Sequence, residues 1–468
     1  MKVETLLNVA TSAFRQKFRE ICPDTASLDL SPDAFSTLCR IFKDAFSASG
    51  TTALKTYLES FDQERDVVFK DGALTRFKKV STKEFLTPFG WISVGRRLFQ
   101  GDSGGECHCP LDEKWAMRGE TLTPIVREAV NLACAHNTPE EVELLLEKCA
   151  LFNPSRTAIQ HAASAFGRFW NDHGESILET ARKSEVHPEE AEAIVVSLDG
   201  VNVLMREEGK KRGRKRSKPN TEGPSEASKT CYQNAMIGCV SWYRGPQEDE
   251  DGPVRLQSRY VSRMPEEGFG AFRSALEAEV ADSLGRFQGK KILLIDGSRA
   301  LWNYATTCPA YAGFSHMVDF YHASEYLAKA AEAAFGKASY ESQGWYRKWK
   351  ECLLKKDGAA HRILRAMGYL QRSRKLTGER KKHLTSARKF FRNNLERMAY
   401  ARHYRNGLPV GSGPVEAACK SIVKSRMCRS GMRWTPEGGA SILALRTIVK
   451  SDRWDACWSE YEALKHAA

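Results

Sequence analysis

Three aspartates each follow a short apolar run. Ile194-Val195-Val196-Ser197-Leu198 leads into Asp199-Gly200, Ile292-Leu293-Leu294-Ile295 into Asp296-Gly297, and Met317-Val318 into Asp319. In open α/β sheets chemistry collects at the carboxyl ends of the strands, so three acids at three such ends form a constellation. A fourth acid, Glu416, follows Gly411-Ser412-Gly413-Pro414-Val415 in the first turn of an expected helix. Grouped carboxylates hold divalent cations. Mg²⁺ prefers oxygen ligands and keeps several waters, so two or three carboxylates suffice. Two such ions, roughly 4 Å apart, activate the attacking oxygen of a phosphodiester displacement and stabilise the leaving one. Crowded carboxylates also repel, and their pKa values rise until a metal or a base neutralises them. Each residue has an ordinary alternative. A strand-end Asp-Gly is often only a turn, Glu416 can pair with Lys420 at i+4, and His322 can be a core or helix-start residue. Spacing alone leaves both Asp296 and Asp319 open as the second acid.

The elements that must position these groups can be read along the chain. Residues 1–65 repeat Leu6, Val9, Phe14, Phe18 and Phe35, Leu38, Ile41, Phe42 at helical spacing. Residues 66–115 read as a small β-rich module, with Val67–Phe69, Leu86–Phe89 and Trp91–Val94 as strands between Asp-Gly, Pro and Gly-Asp breaks. Residues 116–190 return to helix, with starts at Thr138-Pro139-Glu140-Glu141 and Asn153-Pro154-Ser155, and suit a helix-turn-helix DNA reader. From 191 to 322 the pattern is α/β. Strands are expected at Ala193–Leu198, Ala235–Trp242, Val254–Ser262, Lys291–Ile295 and Met317-Val318, with a helix at about Glu266–Phe287. Residues 323–405 are helical and polar. Residues 406–468 bring the Glu416 helix, with Val415, Ala418, Ile422, Val423 and Met427 as its apolar stripe.

Composition narrows the partners. The 468 residues are 42% apolar and 28% charged, which suits a folded chain and excludes a wholly disordered one. The longest apolar runs fall far short of the ~18–20 residues of a membrane span. Met1–Glu20 carries scattered charges, so no secretory signal is expected and the cytoplasm is the expected compartment. Lys plus Arg number 71 and Asp plus Glu 58, a net charge of +13; Arg372 to Arg433 alone holds 17 basic and 3 acidic residues. A field so concentrated attracts polyanions, nucleic acid first among them. A second basic run, with Lys210, Lys211, Arg212, Arg214, Lys215 and Arg216, reads as a flexible phosphate-binding arm. The 13 cysteines are expected to be reduced. Cys107-His108-Cys109 is the one close pair and no CxxC accompanies it, so it reads as a loop with incidental thiols rather than zinc.

Five motifs together carry a resemblance. They are Ser197-Leu198-Asp199-Gly200, Leu294-Ile295-Asp296-Gly297, Val318-Asp319-Phe320-Tyr321-His322-Ala323, Gly411 through Lys420, and Ser430-Gly431-Met432-Arg433-Trp434. In this order the stretch from Ser197 to Trp454 resembles bacterial insertion-sequence transposases of the ISKra type. It is more distantly similar to the ISL-type and Mutator-like groups, all DDE transposases. The resemblance implies an α/β RNase H-like core, a mixed sheet with flanking helices and a helical insertion; the residue pattern before it reads as a mostly α-helical N-terminal region that contains a small β module. It implies Asp199, Asp296 and Glu416 as catalytic acids and ligands of two Mg²⁺ ions, with Mn²⁺ as a substitute. Asp319 and His322 would stand beside the site, Asp319 as the alternative second acid. Lys420, Lys424, Arg426 and Arg433 are expected to bind DNA backbone phosphates. The implied reaction is hydrolysis at transposon ends, then transfer of the freed 3′-hydroxyl into target DNA, by a homodimer or larger assembly on the nucleoid. Two other readings use the same residues: a metal nuclease that cuts without joining, and a domesticated DNA-binding protein without catalysis.

Overall fold

The computed structural model describes residues 1–22, 31–62, 64–149, 152–206, 231–266, 269–285 and 287–467. The chain divides into two compact units, Met1–Thr180 with Asp455–Ala468, and Ala181–Trp454. The basic arm with Lys210, Lys211, Arg212, Arg214, Lys215 and Arg216 lies outside the described residues.

In the first unit, helices Val3–Ile21 and Pro32–Glu59 pair through Phe14, Phe18, Phe42 and Phe46, whose rings stand 5.0–6.4 Å apart. An antiparallel four-stranded sheet follows: β1 (Val67–Lys70), β2 (Ala73–Thr87), β3 (Gly90–Gly101) and β4 (Gly104–His108), in that spatial order. The expected strand Leu86–Phe89 is half wrong, because Pro88-Phe89 makes the turn between β2 and β3. Pro cannot donate to a ladder, and Gly90 at φ +124 takes the conformation a side chain disfavours. Most of β2 escaped the pattern because its middle is polar and exposed at Lys78 and Lys79 and carries a further charge at the half-buried Lys83. Helices Pro124–His136, Pro139–Cys149 and Arg156–Ser184 complete the N-terminal part. The expected assignment of 406–468 to the core needs correction. Asp455–Ala468 belongs to this first unit, where Trp458 and Tyr461 stack on Phe166 and Glu462 accepts from the buried Arg127 guanidinium at 3.0 Å.

The second unit is built on a five-stranded mixed sheet. Its strands are β5 (Ala193–Leu204), β6 (Tyr232–Arg244), β7 (Val254–Arg263), β8 (Lys290–Ile295) and β9 (Ser315–Val318). Their spatial order is β7-β6-β5-β8-β9. The first three are antiparallel neighbours, whereas β8 runs parallel to β5 and β9 parallel to β8. The parallel connections pass through helices Gly270–Leu284 and Arg299–Thr307. Strands buried on both faces read as continuous apolar runs, which is why Ile194–Val196 and Ile292–Ile295 are apolar throughout and buried. On β6 the side chains alternate. Met236, Val240 and Trp242 join the larger core with helices Gly270–Leu284 and Phe320–Phe335, while Ala235, Ile237 and Cys239 join the core under the Glu416 helix. Gly238 admits the first of these helices, since a Cβ there would stand 2.7 Å from Leu276. Helices Phe320–Phe335, Tyr340–Lys355, Ala359–Ser373 and Gly378–Asn394 then stand between β9 and the Glu416 helix in the chain.

A buried ion network closes the unit where the chain enters and leaves it. Arg453 donates to Glu279 at 2.6 and 2.8 Å and to Glu185 at 2.9 Å. Arg259 of β7 reaches Glu185 at 3.1 Å, and Arg182 reaches Glu279 at 3.5 Å. Breaking a buried pair by removing one partner leaves an uncompensated charge and costs about 3–5 kcal/mol. Arg453→Ala is therefore expected to lower unfolding stability by about that amount, read from the urea midpoint of the full chain at constant slope.

Candidate active site

Asp319 is the most tightly held of the acids. It caps helix Phe320–Phe335, its Oδ1 accepting from the His322 backbone at 2.7 Å and facing His322 Nδ1 at 3.2 Å. Its Oδ2 accepts from Ser412 Oγ at 2.8 Å and from the Ser412 backbone N–H. The neighbouring backbone repeats the tie. Asp319 N donates to Ile295 O at 2.9 Å and Phe320 N to Val410 O at 3.0 Å. The loop Val410–Ser412 is thus fastened across the ends of β8 and β9, and it delivers helix Gly413–Ala418 with Glu416 in its first turn. Gly411 permits this passage: a Cβ there would stand 2.5 Å from the Tyr321 ring.

Glu416 is half-buried, with Ser412 Oγ at 3.5 Å. One candidate ligand atom each from Asp319, His322 and Glu416 lies within 4.8 Å of the others, the one such grouping among the described residues. Asp296 follows β8 directly. Its Oδ1 accepts from Ser298 N at 2.8 Å, and the buried Trp302 indole donates to its carbonyl at 2.7 Å. Asp199 is not at a strand end as expected. β5 continues to Leu204, paired with β6 throughout, while its parallel pairing with β8 stops at Val196. Asp199 therefore sits within the strand just past the parallel stretch, opposite Ile237. Cys419 meets it from the Glu416 helix, its thiol 3.6 Å from Asp199 Oδ2 across 220 residues of chain.

These contacts bring Asp199, Asp296, Asp319, His322 and Glu416 into one electrostatic cluster. Burial raises the Asp296 pKa, and the charges of Asp199 and Asp319 raise it further against His322. Burial also works against an ionised Asp319, but the hydrogen bonds from His322 and Ser412 outweigh it and leave its pKa below the usual carboxylate value. His322 is pushed up to about 9, first by its hydrogen bond to Asp319 and then by the Asp319 and Asp296 charges. It stands as an imidazolium at neutral pH. A protonated imidazole repels a cation, and Asp319 is fully buried with four donors on its two oxygens. Of the Asp319, His322 and Glu416 grouping, this leaves Glu416 as the group best suited to a metal. Asp199 and Asp296 are half-buried carboxylates, and the Asp199 charge makes Asp296 harder to ionise. An all-oxygen donor set of this kind fits a hard divalent ion.

The predicted basic residues divide. Lys420, Lys424 and Arg433 are exposed. Arg426 is 3% exposed, with its guanidinium 5.4 Å over the Trp434 ring, so the expectation that it binds phosphate is corrected: it is part of the packing. Val415, Ala418, Ile422, Val423 and Met427 are all buried, and the helix widens to a π-helical turn over Cys419–Lys424, a feature frequent at functional sites. Sequence reasoning missed Ser412, Cys419 and Trp302. Ser412 was legible only as a cap, Cys419 only as an apolar-pattern thiol, and Trp302 gave no signal. In the N-terminal unit His108 Nε2 lies 2.9 Å from Thr75 Oγ1, and Cys109 is buried among Phe85, Ile92 and Met117. Cys107 and His108 lie on β4 and not in the expected loop, because β4 pairs with β3 as far as His108. No disulfide joins any of the thirteen cysteines among the described residues.

No family model and no curated protein matches the chain. Among solved structures it is similar to the Drosophila P element transposase strand transfer complex, with a TM-score of 0.34 and 10% identity, over 71% of this chain and 93% of that one. No helix of the described residues is long and apolar enough to cross a membrane.

The His322 imidazole is expected to titrate near 9 in metal-free protein, followed by its ring protons in NMR, and to fall by at least one unit in Asp319→Asn. A raised pKa adds stability that is complete below the unfolded value of 6.5 and lost as pH rises through about 9. The stability advantage of wild type over His322→Asn should therefore shrink between pH 7 and 9.

Proposed function

We propose that this chain is a DDE-type transposase with an RNase H-like core. Metal-dependent phosphodiester hydrolysis at DNA ends would be followed by transfer of the 3′-hydroxyl into target DNA. The observation that carries the reading is the convergence of Asp199, Asp296 and Glu416, with Asp319 and His322 behind them, from separate strands of one mixed sheet and the Glu416 helix. The strand order supports the core: three antiparallel strands, then two parallel ones added at the β5 edge.

In this reading Asp199, Asp296 and Glu416 hold Mg²⁺, with Mn²⁺ as a substitute and two ions in the full site. Bound there, the metal supplies Lewis-acid activation of the attacking oxygen and stabilisation of the leaving one. The chain's own residues do the rest. Asp319 fixes Ser412 and through it the start of the Glu416 helix. It is a positioning residue and not the second acid. The His322 imidazolium offsets part of the charge that Asp319 and Asp296 bring together. Cys419 presents its thiol to Asp199, and burial with two nearby carboxylates keeps that thiol protonated. Lys420, Lys424 and Arg433 hold backbone phosphates, a salt-sensitive contribution. The helices of the first unit would read the DNA ends, and the assembly would be a homodimer or larger, since two ends are processed together.

Excision and insertion of a marker carried between the gene's native flanks test this in cells, and purified protein tests cleavage and joining. Asp199→Asn, Asp296→Asn and Glu416→Gln should each lose about a hundredfold or more of both steps, the scale of removing one transition-state-stabilising group. Chelation should abolish them. Asp319→Asn should lose about tenfold, with lower thermal stability. Cleavage without joining would favour the nuclease reading, and DNA binding with neither step in wild type the non-catalytic one.

A further inference from the structure

The helix that begins at the acid cluster ends at a second feature. Helix Phe320–Phe335 finishes at Phe335, whose ring walls a cavity of about 490 Å³. Trp345 and Tyr369 supply further aromatic walls, Leu370 is a buried lining residue, and Arg374 completes the set. The Trp345 and Phe335 rings stand 6.4 Å apart at 43°. The Arg374 guanidinium lies 4.9 Å over the Phe335 ring. Tyr369 is 64% exposed, a large ring left in water beside an open cavity. The size falls within the ~300–1,000 Å³ of small-ligand pockets. The surrounding chain is strongly basic: Lys337 to Arg405 holds 20 basic and five acidic side chains.

These features select a ligand chemistry. Aromatic walls favour a flat ring with an exposed π face. A guanidinium stacked on an aromatic keeps its donors for an anion. The positive field around the cavity draws polyanions. A flat ring tethered to a phosphate within a polyanion is a nucleotide. A paired base has both faces covered by its neighbours, so only an unstacked one offers its ring to aromatic side chains.

We propose that this cavity takes the base of one unpaired nucleotide of a DNA strand, with an adjoining phosphate on Arg374. The inference rests on the reading of the chain as a DNA-processing enzyme and adds to it a second contact remote from the acids. The helix gives the separation. At ~1.5 Å per residue, His322 to Phe335 spans about 20 Å. A DNA strand advances ~3.4 Å per nucleotide, so the unpaired nucleotide lies within about six positions of the phosphate at the acid cluster.

The test uses the full chain in EDTA and fluorescence anisotropy on three duplexes of one sequence. One is fully paired, one carries a single bulged adenosine, and one carries the same bulge without its base. Wild type should bind the adenosine bulge about tenfold more tightly than the other two, the scale of one base stacked on protein aromatics. Tyr369→Ala alters an exposed side chain and should lose that preference while keeping affinity for the paired duplex, whereas Arg374→Ala should lose the preference and bind all three duplexes more weakly. Trp345→Phe should retain it. Equal affinity for the base-bearing and abasic bulges, or a preference unchanged in Tyr369→Ala, would overturn the proposal and leave the DNA reading standing. Failure to bind any of the three would remove both.

Discussion

The second unit depends on one buried carboxylate. Asp319 has no solvent contact, yet it serves the backbone of its own helix, the His322 ring, and the Ser412 backbone and hydroxyl. Burying an ionised carboxylate is costly unless it is hydrogen-bonded and paired. Both conditions are met here by groups from two distant parts of the chain. The requirement to satisfy Asp319 therefore fixes where the Gly411–Ser412 loop crosses β9. That crossing sets where Glu416 points relative to Asp296 and Asp199.

The same arrangement explains why five ionisable groups tolerate one another. Asp319 is stabilised as an anion by donors and His322 as a cation by Asp319, whereas at Asp296 burial and negative neighbours outweigh the Ser298 donor and the His322 charge. Charge compensation is thus uneven. The side of the cluster with Asp319 and His322 is internally paired, and the side with Asp199 and Asp296 is not. That asymmetry, more than the proximity of ligand atoms, separates a positioning acid from the acids suited to a metal. Proximity alone would have favoured Asp319, His322 and Glu416.

Much of this was legible in the sequence. The apolar runs before Asp199, Asp296 and Asp319 marked the strands, and the stripe from Val415 to Met427 marked the buried face of the Glu416 helix, because burial on both faces of a sheet or along one stripe leaves a local pattern. What failed was set by distant parts of the chain. Asp199 was read at a strand end because its Asp-Gly resembles a turn, whereas pairing with β6 carries β5 onward to Leu204. Arg426 was read as exposed because its charge hides the fact that Trp434 folds back over it. The last helix was assigned to the core by position, although Trp458 and Tyr461 find their partners at Phe166 and Phe169. The proposed preference for Asp296 over Asp319 rests on the donors on each carboxylate, which spacing does not carry.

The central claim is that the metal belongs between Asp199, Asp296 and Glu416, with Asp319 holding the frame. Anomalous diffraction from crystals of the full chain soaked in Mn²⁺ tests it most directly. The account predicts a peak at ligand distance, ~2.0–2.2 Å, from carboxylate oxygens of Asp199 and Asp296, with Asp319 still bonded to Ser412 and His322. A peak ligated by Asp319 and His322, with none at Asp199 or Asp296, would contradict it.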